Sequence, residues 1–64
     1  MTQWIESKTK VPEPLLDILV AYVFDGESTI DMAFRRDNGR WFLTGSEPLI
    51  EIHPTHWMPL PELP

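Results

Sequence analysis

The sequence predicts a mainly β fold: a small antiparallel sheet of three to four strands, with at most one short helix, closed by a C-terminal proline-rich strap. Three observations carry this. The run ILVAYVF, Ile18–Phe24, is rich in β-branched and aromatic residues. The segment STIDMAFRR, residues 28–36, alternates apolar and polar side chains. Two turn signals, DGES and DNGR, separate the apolar runs as hairpin loops do.

In chain order, MTQWIESKTKVPEP is mostly irregular, with Trp4 and Ile5 as apolar anchors and Pro12 and Pro14 limiting any helix. EPLLD allows one helical turn, with Pro14 near its start. Ile18–Phe24 is apolar on both faces, which suits a central strand. Asp25-Gly26 turns it back into the alternating strand, where Ile30, Met32 and Phe34 share one face. Asn38-Gly39 suits a two-residue type I′ turn into a third strand, WFL. After the loop TGSEP, LIEIH gives a short fourth strand. The tail THWMPLPELP cannot be helical, because prolines 59, 61 and 64 each lack a donor and restrict the preceding residue.

Parity then selects a core. A two-residue or four-residue first loop puts Leu19, Ala21 and Val23 on the face of Ile30, Met32 and Phe34. The Asn38-Gly39 turn places Phe34 opposite Leu43 and Arg36 opposite Trp41, which adds Leu43 and Trp41 to that face. The other face of the first strand, Ile18, Val20 and Tyr22, needs a cover. Trp4, Ile5, Trp57, Met58 and Leu60 are the large apolar groups left to supply it, so the strap is expected to pack on the sheet. The competing use of the strap, as a polyproline ligand for another domain, predicts an exposed Trp57.

Sixty-four residues allow a single domain, 1–64, near the lower size limit for one core. There is no cysteine, hence no disulfide and no thiolate nucleophile or ligand. The longest apolar run has seven residues, far short of a membrane span, and no secretory h-region opens the chain. A cytoplasmic, soluble protein is expected, with no membrane partner.

Ten acidic residues against five basic ones give a formal charge of −5, the wrong sign for holding phosphates, so direct nucleic-acid binding is not expected. Arg35, Arg36 and Arg40 form the basic cluster, and Arg36 opposite Trp41 reads as a cross-strand cation–π pair. Ser7, Ser28 and Ser46 fall in predicted loops without a nucleophile elbow, and no catalytic residue is assigned. His53 and His56, with Glu51 as a possible third ligand, are a weak zinc pattern. A hydrogen bond from His56 to a turn, orienting Trp57, is the preferred role, and no metal or cofactor is expected. The acidic groups remain. Asp25, Glu27 and Asp31 fall at the first hairpin, and Glu47 and Glu51 across the sheet extend the set. At ~3.3 Å per residue, carboxylates along a hairpin can imitate a short run of phosphates. Plain solvation of a turn is the ordinary alternative.

The Trp4-Ile5 pair, Val11-Pro12-Glu13, the central Ile18-Leu19-Val20 strand, the Gly39-x-Trp41 hairpin and the tail Thr55-His56-Trp57-Met58-Pro59-Leu60-Pro61 together resemble an uncharacterised domain family of bacteriophages and prophages. One departure is Leu15-Leu16-Asp17, where members often carry a glycine before the central strand. The resemblance transfers no catalytic residue. It implies a phage-encoded protein in the cytoplasm of a bacterial host cell, and an anti-CRISPR role. On that reading the chain is a monomeric, non-catalytic inhibitor, an acidic DNA mimic. It blocks a basic DNA-binding surface of a type I surveillance complex through Asp25, Glu27, Asp31, Glu47 and Glu51. The alternative is a phage accessory or regulatory module that binds a protein partner through its apolar strap.

Overall fold

The computed structural model describes residues 3–61. Six strands are present: β1 (Ile5–Glu6), β2 (Ile18–Phe24), β3 (Glu27–Arg35), β4 (Trp41–Leu43), β5 (Glu51–Ile52) and β6 (His56–Pro59). They form one antiparallel sheet in the order β1-β6-β2-β3-β4-β5. The count exceeds the expected three to four because the N-terminal segment contributes β1 and the strap itself contributes β6. Among the described residues there is no helix, hence none long and apolar enough to cross a membrane.

From His56 to Pro59 the proline-rich strap is a strand within the sheet and forms no layer on top of it; its last residues, 62–64, lie outside the described ones. β6 is hydrogen-bonded between β1 and β2. Its proline is tolerated because β1 reaches no further than Trp57, so at Pro59 the strand has β2 as its single neighbour. Thr55 clamps the entry: its N–H and hydroxyl both donate to the Ala21 carbonyl, at 2.9 and 3.3 Å, and its carbonyl accepts from Ser7 N–H at 3.0 Å. Trp57 is buried, and its indole donates to the Lys10 carbonyl at 2.8 Å. An exposed Trp57, which the polyproline-ligand reading requires, is therefore not found.

Both hairpins depart from, or sharpen, what their turn residues suggest. Asp25 and Gly26 have φ of 51° and 80°, a two-residue turn that pairs Phe24 with Glu27. At the second hairpin Asn38 is not in the left-handed region, whereas Gly39 is, at φ 88°. Gly39 N–H donates to the Arg36 carbonyl, and Arg36 N–H to the Arg40 carbonyl. The loop is thus three residues long, 37–39, a tight turn followed by a left-handed glycine.

That extra residue moves the register by one and reverses the predicted face. Ala33 pairs with Leu43, Phe34 with Phe42 and Arg35 with Trp41. Trp41 and Leu43 therefore leave the face of Ile30, Met32 and Phe34 and join that of Ile18, Val20 and Tyr22. The buried cluster is Ile18, Val20, Tyr22, Ala33, Trp41, Ile52 and Trp57, with Ile5 and Leu43 packed against it. The expected core residues Val23, Ile30 and Met32 are exposed at 62, 63 and 39 %. The expected Arg36–Trp41 contact is replaced by Arg36 lying 5.3 Å from the Phe42 ring centroid.

A flat sheet cannot accommodate this topology. β5 and β6 are four strand positions apart, roughly 19 Å at ~4.8 Å per spacing, yet the four residue steps from Ile52 to His56 span at most ~14 Å. The sheet must curl, which brings Trp41 and Ile52 from one end into the same cluster as Trp57 from the other. The segment between β1 and β2 crosses the hollow: Lys10 accepts from Trp57, Pro12 is buried, and Leu15 N–H donates to the Arg35 carbonyl at 2.8 Å. This lid covers part of the inner face. Of the side chains expected to cover it, Ile5 and Trp57 belong to that side, Trp4 and Met58 fall on the outer one by strand parity, and Leu60 is exposed. The expected helical turn at residues 13–17 is a tight turn at Pro14-Leu15.

Two predictions follow from these positions. Trp57→Ala removes a buried indole and its hydrogen bond, a loss of about 3–5 kcal/mol that consumes most of the stability of so small a domain. Circular dichroism should show an unfolded chain, whereas Met58→Ala on the outer face leaves a cooperative melt. Leu15 sits at φ 65°, a conformation that costs a bulky residue about 1–2 kcal/mol, and its side chain is 72 % exposed. Leu15→Gly should therefore raise stability in urea titration by roughly 0.5–1 kcal/mol, after the entropy glycine adds to the unfolded state.

Candidate functional site

The β2–β3 hairpin gathers three of the five carboxylates singled out from the sequence. Asp25 forms the turn itself, in the left-handed conformation that a short polar side chain tolerates. Glu27 stands directly opposite Phe24, so the two side chains leave the sheet on the same side. Asp31 lies four residues further along β3, on Glu27's side, opposite Val20, about 13 Å away along the strand. All three are exposed. The Asp31 carboxylate accepts from the Met32 N–H at 2.9 Å, and the Glu27 carbonyl accepts from the Thr29 hydroxyl at 3.4 Å.

The other two do not extend this row. Glu47 is exposed in the loop between β4 and β5. Glu51 pairs with Phe42 in β5, which puts it on the opposite face from Glu27 and Asp31 and two strands away from β3. It also lies 3.9 Å from Arg40 Nε, the one ion pair among the described residues. The acidic hairpin therefore carries three carboxylates that form no ion pair among the described residues, whereas Glu51 faces Arg40.

Sequence reasoning missed two features. The first is Phe24, counted as strand interior, whose ring is 70 % exposed at the hairpin tip beside Glu27. It lines one wall of an apolar cleft of about 380 Å³ that opens between the end of β2 and β5, with Tyr22, Leu43, Ile50 and Ile52 as further walls. The signal was there: Phe24 is the last apolar residue before a two-residue turn, and the residue facing it across the hairpin is the charged Glu27. The second is the outer sheet face. It was read as the core, so its exposure had no sequence signal apart from the register of the second turn.

The remaining candidate chemistry is sparse. His56 Nδ1 lies 2.9 Å from the Thr55 hydroxyl, the residue that clamps the strap to β2. Among the described residues, no three His, Cys, Asp or Glu side chains come together as a metal site. The apolar cleft also has Glu51 and His53 in its lining.

The geometry of the turn makes its own prediction. Asp25→Asn should keep the native melting behaviour, because asparagine tolerates φ near 51°. Asp25→Val should lower stability by about 1–2 kcal/mol in the same denaturant titration, from the β-branched side chain alone.

Residues 3–64 match the family described as a protein of unknown function, DUF551. No curated protein and no solved structure matches the chain.

Proposed function

The chain belongs to the DUF551 family, and we propose that it is a non-catalytic binding protein whose β2–β3 hairpin engages a basic surface. Its finer form is a phage-encoded, anti-CRISPR-like inhibitor that occludes the DNA-binding surface of a type I surveillance complex in the host cytoplasm. The observation that carries the reading is the set of Asp25, Glu27 and Asp31 on one hairpin, all exposed and none within an ion pair.

Charge sign and rigidity support it. A chain of charge −5 is steered toward cationic channels, and screening by salt weakens that attraction. The hairpin is part of a six-stranded sheet, so its carboxylates bind with little loss of backbone freedom. Phe24 gives the tip an apolar contact among the charges, the arrangement by which an interface excludes water. The spacing matters too. Glu27 and Asp31 skip the position of Thr29, so each meets a separate arginine or lysine and neither shares one with the other. The strap has little to offer a partner in this reading, since its Trp57 is committed to the core.

The test is displacement of labelled duplex DNA from a purified type I surveillance complex at ~50 and ~200 mM salt. The parent protein should compete, less well at the higher salt. The variant Asp25→Asn, Glu27→Lys, Asp31→Lys retains a residue suited to the left-handed turn and should lose competition at least about tenfold at the lower salt. Equal competition by this variant, with its fold verified by circular dichroism, would overturn the carboxylate mechanism. Absence of competition by the parent would overturn the target class.

A further inference from the structure

We infer that the outer face of the sheet is the interface of a homodimer, formed by face-to-face packing of two copies. The face is apolar across its middle. Met58, Leu19 and Met32 form one cross-strand row over β6, β2 and β3. His56, Ala21 and Ile30 form the next, and Phe34 and Phe42 pack with tilted rings, 6.1 Å between centroids, on the β3–β4 side. None of this surface is covered by the lid, which lies on the inner side.

Two properties point to a second copy as the occupant. The first is area. Val23, Ile30 and Met32, at 62, 63 and 39 % exposure, leave roughly 300 Å² bare between them. The half-buried Leu19, Ala21, Phe34, Phe42 and Met58 raise this to about 500 Å², so two copies bury about 1,000 Å² together, the lower bound for a specific interface. A single sheet with one curled, filled face completes a two-layer body by this route.

The second is charge. The chain carries −5, and two copies repel wherever that excess is displayed. By strand parity the outer face holds Glu6, Asp17 and Glu51 against Arg36 and Arg40, a balance of −1, all at its margins. Asp17 accepts from the Thr44 hydroxyl at 2.9 Å, Glu51 faces Arg40, and Arg36 lies over Phe42. The surface is thus nearly neutral and carries both signs, as self-association requires, whereas a strongly charged partner would select one sign. Its relief is also suited to a copy of itself. A groove of about 260 Å³ lies over the small side chain of Ala21, between Trp4, His56 and Ile30, and the exposed Met32 stands on the same face one cross-strand row away. A two-fold operation can seat such a side chain in such a groove twice.

Sedimentation equilibrium of the purified chain tests this. Dimer is expected, its dissociation constant falling as salt rises because screening removes the net repulsion. That is opposite in sign to the salt response of the proposed basic target, so failure of one reading is distinguishable from failure of the other. Ile30→Lys places a charge in the middle of the patch and should weaken the dimer about a hundredfold or more, with unchanged circular dichroism. Phe24→Lys, on the inner side at the hairpin tip, should leave the dimer intact. A monomer at every concentration up to ~1 mM, a dimer indifferent to Ile30→Lys, or a dimer broken by Phe24→Lys alone would each overturn the inference. Should Ile30→Lys unfold the chain, Val23→Lys at the end of β2 takes its place with the same expectation.

Discussion

Three residues, His53, Pro54 and Thr55, join the outermost strand β5 to β6 four positions away, and that short link imposes the curl. Once the sheet curls, its two faces are no longer equivalent. The concave one can close over Trp41, Trp57 and Tyr22, while the convex one carries the exposed Val23, Ile30 and Met32. The link is held at both ends. Pro54 is buried against the body, and Thr55 is bonded to β2 through its N–H and hydroxyl and to the exit of β1 through its carbonyl. In this sense the run from Thr55 to Pro59 is one device. It clamps, turns the imidazole outward by parity, sinks the indole, and ends the pairing with a residue that cannot donate.

The strands themselves were legible because β-branching and alternation report locally. Ile18–Phe24 and Trp41–Leu43 have the bounds their composition suggests, and Asp25-Gly26 makes the turn expected of it. Which face is buried was not legible, since the answer depended on one residue in the second turn. Asn38-Gly39 is compatible with a two-residue loop, yet the chain uses three, and a register shift of one residue inverts every side chain beyond it. The strap could be read as apolar and rigid, but whether it lies on a sheet or in one is a question of hydrogen-bond partners that composition does not carry. β1, only two residues long, has no periodicity to detect.

The same distinction separates what was visible in the acidic site from what was not. Asp25, Glu27 and Asp31 are close in sequence along a hairpin, so their proximity follows from local geometry alone. Grouping Glu51 with them required knowing strand order and face, both long-range properties, and the structure gives it Phe42 and Arg40 as neighbours. Phe24 shows the converse. An aromatic at the end of a hydrophobic run looks like core by composition, but β2 outlasts β6 on one side and meets only the Glu27 side chain of β3 on the other, which leaves Phe24 in solvent.

Charge and apolar surface are thereby sorted onto different parts of a very small body. β3 alternates strictly, so burying Ala33 commits Asp31 and Glu27 to one side and Ile30 and Met32 to the other. The same alternation that keeps the β3 carboxylates off the outer face leaves the middle of that face without the charges that normally protect an exposed sheet from association; its charged groups stand at the margins. Among the described residues seven apolar side chains form the buried core, while eleven large apolar ones remain exposed. Val23, Ile30 and Met32 stand in water, and in the dimer inferred above a second sheet of the same shape would remove them from it while the acidic hairpins remain in solvent.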